Sequence, residues 1–140
     1  MIKHVLVPMD RSPLARRAFE FALELHPEAD ITVLHVVDYV EESYGAQMLT
    51  GSDELRARAT TKAEQLFDEV REHAADHQGE LTTVTKFGKP QRVITDYAAD
   101  HDVDLIIIGS HGRSLVSRVL LGDVVQTVVQ RASVPVTVVR

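Results

Sequence analysis

Leu105-Ile106-Ile107-Ile108-Gly109-Ser110-His111-Gly112 is the stretch that decides the fold. Its near-continuous apolar run has no polar alternation, which suits a central strand buried on both faces of a parallel sheet. Outward from it, short apolar, β-branched runs recur at Ile2–Pro8, Ile31–Val37, Leu81–Phe87, Val103–Gly109 and Val134–Val139. Helical patterns separate them. Ser12-Pro13 pairs an N-cap with proline at the first helical position, and Ala15, Ala18, Phe19, Ala22 and Leu25 follow at helical spacing. Leu55, Ala59, Ala63, Leu66, Val70 and Ala74 draw one face of a long second helix. Pro90 opens a third through Val93, Ile94, Tyr97 and Ala98, and Val124, Val125, Val128 and Val129 stripe a fourth. Strict β-α alternation implies parallel strands joined by right-handed crossovers. The expected fold is therefore a doubly wound, Rossmann-like α/β sheet of five parallel strands with helices on both faces.

The 140 residues fit one domain, 1–140, without repeats or linkers. Hydrophobic residues make up 44% and charged residues 26%, which excludes a disordered or fibrous chain. The absence of cysteine excludes disulfides, thiolate metal sites and cysteine nucleophiles. A net charge of −6 disfavours nucleic acid and anionic membranes as partners. No apolar run reaches the ~20 residues of a membrane helix, and the N-terminus turns polar too soon for a signal peptide. A cytoplasmic location is expected. Eleven arginines against four lysines, beside an acid excess, fit either a salt-rich cytoplasm or a genomic bias. The stretch Asp38–Ser52, at about 15 residues, is long for a connection and reads as an insertion loop or lid. Glu41, Glu42 and Tyr44 lie within it.

In a doubly wound sheet, ligands bind beyond the carboxyl ends of the strands, where strand order reverses. Two such ends carry unusual residues: Pro8-Met9-Asp10 after the first strand and Gly109-Ser110-His111-Gly112 after the fourth. Gly122-Asp123 then precedes the fourth helix. Glycines there let backbone amides approach an anion, and the helix N-terminus adds partial positive charge.

The spacing Gly109-x2-Gly112-x9-Gly122 resembles the phosphate-binding motif of the universal stress protein family. The resemblance extends to the opening Ile2-Lys3-His4-Val5-Leu6-Val7-Pro8-Met9-Asp10, to Leu34-His35-Val36, to Asp102–Gly112 and to Val134-Pro135-Val136-Thr137-Val138-Val139. It implies a five-stranded fold akin to the adenine-nucleotide alpha hydrolases and a homodimer paired through Val134–Val139. It also implies a stress-response regulatory protein that binds ATP or AMP at the ends of strands 1 and 4, since many members bind ATP and others do not. By that resemblance Pro8, Met9 and Asp10 border the adenosine, with Asp10 near the ribose. The backbone near Val36 borders the adenine. Gly109, Ser110, His111, Gly112, Arg113, Gly122, Asp123 and Val124 surround ribose and phosphates. An unidentified protein partner would read the bound state.

One position departs from the pattern. Binding members usually carry serine or threonine where this chain has Asp123. An ionised carboxylate cannot donate, and at ~4 Å with an effective dielectric of ~20 it repels a phosphate charge by about 4 kcal/mol. A helix N-terminus returns roughly 0.3–2 kcal/mol. Arg113 or Arg118 could offset the repulsion, or magnesium or manganese could bridge carboxylate and phosphate. Asp123 also reads as a plain N-cap. Two functions follow: a nucleotide-binding regulatory module, or a nucleotide-independent dimeric interaction protein that has lost phosphate binding through Asp123. Enzymatic support reaches at most a weak ATPase, because the Gly-x-x-x-x-Gly-Lys-Ser/Thr loop, the Gly-x-Gly-x-x-Gly fingerprint and the Gly-x-Ser-x-Gly elbow are all absent.

Other residues carry weaker signals. His73 and His77 stand at i, i+4 on the second helix, a spacing that suits a metal or a solvated face. His111 could touch a phosphate or cap its own loop. Ser110 and Ser114 could bind phosphate or stabilise turns. His35 reads as a core histidine with a satisfied hydrogen bond.

Overall fold

The computed structural model of the protein describes residues 1–38, 52–111 and 121–140. Among the described residues five strands, β1 (His4–Pro8), β2 (Asp30–Val37), β3 (Leu81–Phe87), β4 (Leu105–Gly109) and β5 (Val136–Val139), alternate with four helices. These are α1 (Pro13–Leu25), α2 (Ser52–His73), α3 (Pro90–Asp100) and α4 (Asp123–Arg131). The sheet order is β3-β2-β1-β4-β5, and every pairing is parallel. The chain winds outward through β1, β2 and β3, then returns to the other side of β1, so strand order reverses between β1 and β4. The expected loop Asp38–Ser52 lies outside the described residues except at its two ends, as do Gly112, Arg113, Ser114 and Arg118.

Side-chain alternation divides the core into two layers. Val5, Val7, Ile31, Val33 and Ile107 face α1 and α2, where they meet Ala15, Ala18, Phe19, Ala22, Ala63, Leu66, Phe67 and Val70. Leu6, Leu34, Ile106 and Ile108 face the opposite way, onto Ile94, Tyr97 and Ala98 of α3 and Val125 and Val128 of α4. Both layers cover β1 and β4, which explains the unbroken apolar run at 105–108. The small residues of α1 let its backbone lie close to the sheet, and Phe19 fills the remaining space.

The helix starts follow local chemistry. Ser12 caps α1, its Oγ accepting the Ala15 N–H at 3.2 Å, with Pro13 in the first turn. Leu25 differs from expectation: it is 55% exposed at the last position of α1. The valine stripe of α4 is also narrower than its spacing suggests. Val125 and Val128 are buried, Val124 is half-buried, and Val129 is exposed because a nine-residue helix on one sheet face buries only its central stripe.

At the amino ends of the strands a polar latch closes the sheet. The Asp104 carboxylate accepts the Lys3 and His4 amides at 2.9 and 3.0 Å. The His4 ring donates from Nδ1 to the His101 carbonyl and accepts at Nε2 from Thr32 Oγ1. Those two amide bonds hold the Asp104 carboxyl below its ordinary value of 3.8. Among the described residues no helix is long and apolar enough to cross a membrane.

Candidate functional site

At the carboxyl ends of the strands, the loop after β1 is fixed before any ligand is considered. Pro8 and Met9 are buried, whereas Asp10 is half-buried. The Met9 amide donates to the Leu34 carbonyl, extending the β1–β2 ladder one residue beyond Pro8. Asp10 Oδ1 accepts the Ser12 N–H at 2.8 Å, which orients the carboxylate. The carboxylate thus sits at the sheet's reversal point.

The loop after β4 begins equally tightly. A Cβ on Gly109 would lie 2.8–2.9 Å from the carbonyl carbon, Cβ and oxygen of Leu14. Gly109 is therefore required by the close passage of α1, four residues after Asp10. The Ser110 peptide is a junction: its amide donates to Val139 at 2.7 Å, and its carbonyl accepts the Gly122 N–H at 2.9 Å. Ser110 and His111 are both buried, with Ser110 Oγ and His111 Nδ1 3.2 Å apart. Ser110 is thus already engaged in closing the loop. The chain that leaves after His111 returns at Gly122 against the residues it left.

Gly122, not Asp123, is the N-cap of α4, and it supplies no side-chain cap. This corrects the N-cap reading of Asp123, which is the first helical residue with its side chain exposed. The first intrahelical bond runs from Gln126 N–H to the Gly122 carbonyl. The amides of Asp123, Val124 and Val125 precede it, an anion-binding arrangement carrying the positive end of the helix dipole. A Cβ on Gly122 would meet Ser110 O at 3.5 Å and His111 Cα at 3.7 Å, ordinary contacts. Unlike Gly109, Gly122 is not demanded by packing among the described residues.

Val36 is half-buried near the end of β2, beside the same opening. His35 is half-buried too, not a core residue, but its bond is satisfied: Nδ1 donates to the Met9 carbonyl at 2.8 Å. His73 and His77 do not share a helix face, since α2 ends at His73. His73 pairs with Glu20, and His77 Nε2 donates to the Ala29 carbonyl at 2.7 Å. A cleft of about 170 Å³ between α1 and α2 reaches Asp10, but the Arg16–Glu69 ion pair lies along it. Its floor of Met9, Phe19, Leu66 and Val70 is already buried. That volume is below the roughly 300 Å³ at which small-molecule pockets begin.

The sheet order and the two loops meeting at its reversal define a Rossmann-like α/β protein. The chain belongs to the universal stress protein family, whose family model matches residues 1–140. It is 28% identical to universal stress protein MJ0577 of Methanocaldococcus jannaschii, over all of this chain and 96% of that one. The solved structure of MJ0577 superimposes with a TM-score of 0.86 at 29% identity, covering 99% and 96% of the two chains. Universal stress protein YxiE of Bacillus subtilis is 29% identical over the full length of both. A universal stress protein solved in complex with cAMP shares the fold at TM-score 0.70 and 18% identity, covering 99% of this chain and 97% of that one. An Arabidopsis thaliana family member with AMP bound does so at TM-score 0.69 and 19% identity, covering 98% and 90%.

Proposed function

We propose that this single-domain protein binds an adenine nucleotide, ATP or AMP, across the carboxyl ends of β1 and β4, and that occupancy changes the loop surface a partner protein reads in the cytoplasm. The observation that carries this reading is the start of α4: three amides in series beside a glycine whose missing side chain is not required by packing among the described residues. Asp10 supplies the complementary element, a fixed carboxylate that can accept from ribose hydroxyls. Distant family members that carry cAMP and AMP add support. Ligand contacts fall to Asp10, to the backbone of Pro8, Met9 and Val36, and to Gly109–Arg113 with Gly122, Asp123 and Val124. Asp123, exposed at the first turn, would also meet a magnesium or manganese ion that accompanies ATP.

β5 lies at the sheet edge, paired with β4 alone. Val136 and Val138 are only half-buried there. A second copy added along this edge would cover them and remove the open edge.

Titration calorimetry of ATP and AMP, each with and without magnesium at high potassium chloride, tests the nucleotide reading. Binding near 1 μM, about −8 kcal/mol, weakened at least tenfold in Asp10→Ala, is the expected result. Silence toward both nucleotides under every condition overturns it and leaves the nucleotide-independent dimer, which the exposed Asp123 carboxylate favours. Sedimentation of the wild type against Val138→Arg reads the assembly, with a monomeric wild type refuting the β5 pairing.

A further inference from the structure

β2 outruns β1, and the bonding alternation shows where its last peptide faces. Asp30 donates to Lys3 and Leu34 accepts from Met9, so even-numbered residues of β2 bond toward β1. Ile31 donates to Glu80 and Val37 accepts from Gly88, so odd-numbered residues bond toward β3. The N–H and C=O of Val36 therefore face the β1 side, beyond Pro8. The partner that would continue the ladder is the Met9 carbonyl, but that oxygen accepts from His35 Nδ1–H at 2.8 Å. Among the described residues no backbone bond joins Val36 to Met9. By alternation His35 falls on the α1/α2 face with Ile31 and Val33, so its bond meets the Met9 carbonyl from that face. A carbonyl can only accept, which fixes the proton on Nδ1.

We propose that His35 is a positioning residue: by taking the Met9 carbonyl it ends the β1–β2 ladder one rung early and keeps the Val36 N–H and C=O open to the edge of a bound base. A 6-aminopurine presents an acceptor beside a donor, and one residue's N–H and C=O answer that pair. The same bond sets the height of Asp10, the next residue, whose Oδ1 is already held by Ser12. The proposal rests on the nucleotide reading for its ligand and on the free protein for its ladder.

Amide hydrogen exchange followed by NMR, together with AMP titration, separates the two. In the free wild type the Val36 amide should exchange fast. His35→Leu should add the missing rung, slowing that exchange at least tenfold and weakening AMP about tenfold. His35→Asn, whose amide can stand near the position of Nδ1, should keep fast exchange and hold AMP affinity within about threefold. A protected Val36 amide in the wild type overturns the proposal whether or not the variants fold. So does His35→Leu with unchanged exchange and affinity. If exchange follows the expected pattern but the wild type binds neither AMP nor ATP, the ladder-ending role stands and the base-binding role falls with the nucleotide reading.

Discussion

Gly109 and Gly122 belong to one motif, yet alanine at the two positions should have opposite consequences. At Gly109 a new Cβ meets three atoms of Leu14 at 2.8–2.9 Å, two of them backbone. Reaching an unstrained 3.5 Å or more requires the start of α1 to retreat by roughly half an ångström or more. It cannot retreat alone: Ser12 is tied to Ala15, and Ala15, Ala18 and Phe19 are packed on the sheet. Overpacking of this kind costs about 2–3 kcal/mol, and the stiffer unfolded chain returns about 0.7 kcal/mol. The net loss of about 2 kcal/mol lowers Tm by roughly 6 °C for a chain of this size. At Gly122 the nearest atoms among the described residues stand at 3.5 and 3.7 Å, and φ is −66°, open to any residue. Alanine is a poorer N-cap than glycine by about 0.5 kcal/mol, which the unfolded-state gain cancels. Tm should stay within about 2 °C. Thermal unfolding by circular dichroism, checked by urea titration, reads both variants. Equal effects on stability would refute the assignment of Gly109 to helix packing and of Gly122 to ordinary contacts among the described residues. Gly122→Ala is then the variant in which lost nucleotide affinity reports on ligand contact, because its fold is intact.

Asp123→Ser should tighten metal-free ATP about fivefold, because an exposed carboxylate ~4 Å from a phosphate charge is screened nearly as in water, to about 1 kcal/mol. Calorimetry at two salt concentrations checks this, and unchanged affinity refutes the repulsion. Ser12→Ala removes the α1 cap and should cost about 1 kcal/mol, read as a Tm drop of roughly 3 °C. Asp104 has its folded pKa lowered by the Lys3 and His4 amides, so its contribution is complete above the ordinary value of 3.8 and is lost as pH falls through the lowered one. Asp104→Asn should therefore be less stable than the wild type at pH 6, with the gap closing in acid; a pH-independent gap would show that the carboxylate charge plays no part.

Much of the fold was legible in the sequence because burial dictates it. Leu81–Phe87 matches the observed β3 end for end, and the other strands differ only at their ends. Val103 and Val134 read as strand because they are apolar, but they lead into their strands and do not join the ladder. The end of α2 was misjudged only at His77: Ala74 continues the apolar spacing, is buried and still bonds the Val70 carbonyl, but the helix stops before His77. At the candidate site, sequence placed Asp10 and the glycines at the strand ends but could not say what each glycine is for. That depends on Leu14 passing over Gly109, a contact 95 residues apart in the chain. The bond from His35 to Met9 was equally hidden. A polar residue inside an apolar strand was the only signal, and it read as an ordinary satisfied histidine.

The latch at Asp104 has a consequence for how the protein is made. β1 is the central strand, yet one of its two neighbours, β4, lies about 100 residues downstream, as the Asp104 bonds to Lys3 and His4 record. At 5–20 residues per second, the ribosome needs roughly 5–20 s to deliver that neighbour. Until then β1, β2 and β3 can form only half a sheet, with the first strand synthesised serving as an unguarded margin. Translation that stalls between β3 and β4 leaves nascent chains that can pair with one another along Val5-Leu6-Val7. The strand at the centre of the finished sheet is thus the one left unpaired longest during its birth.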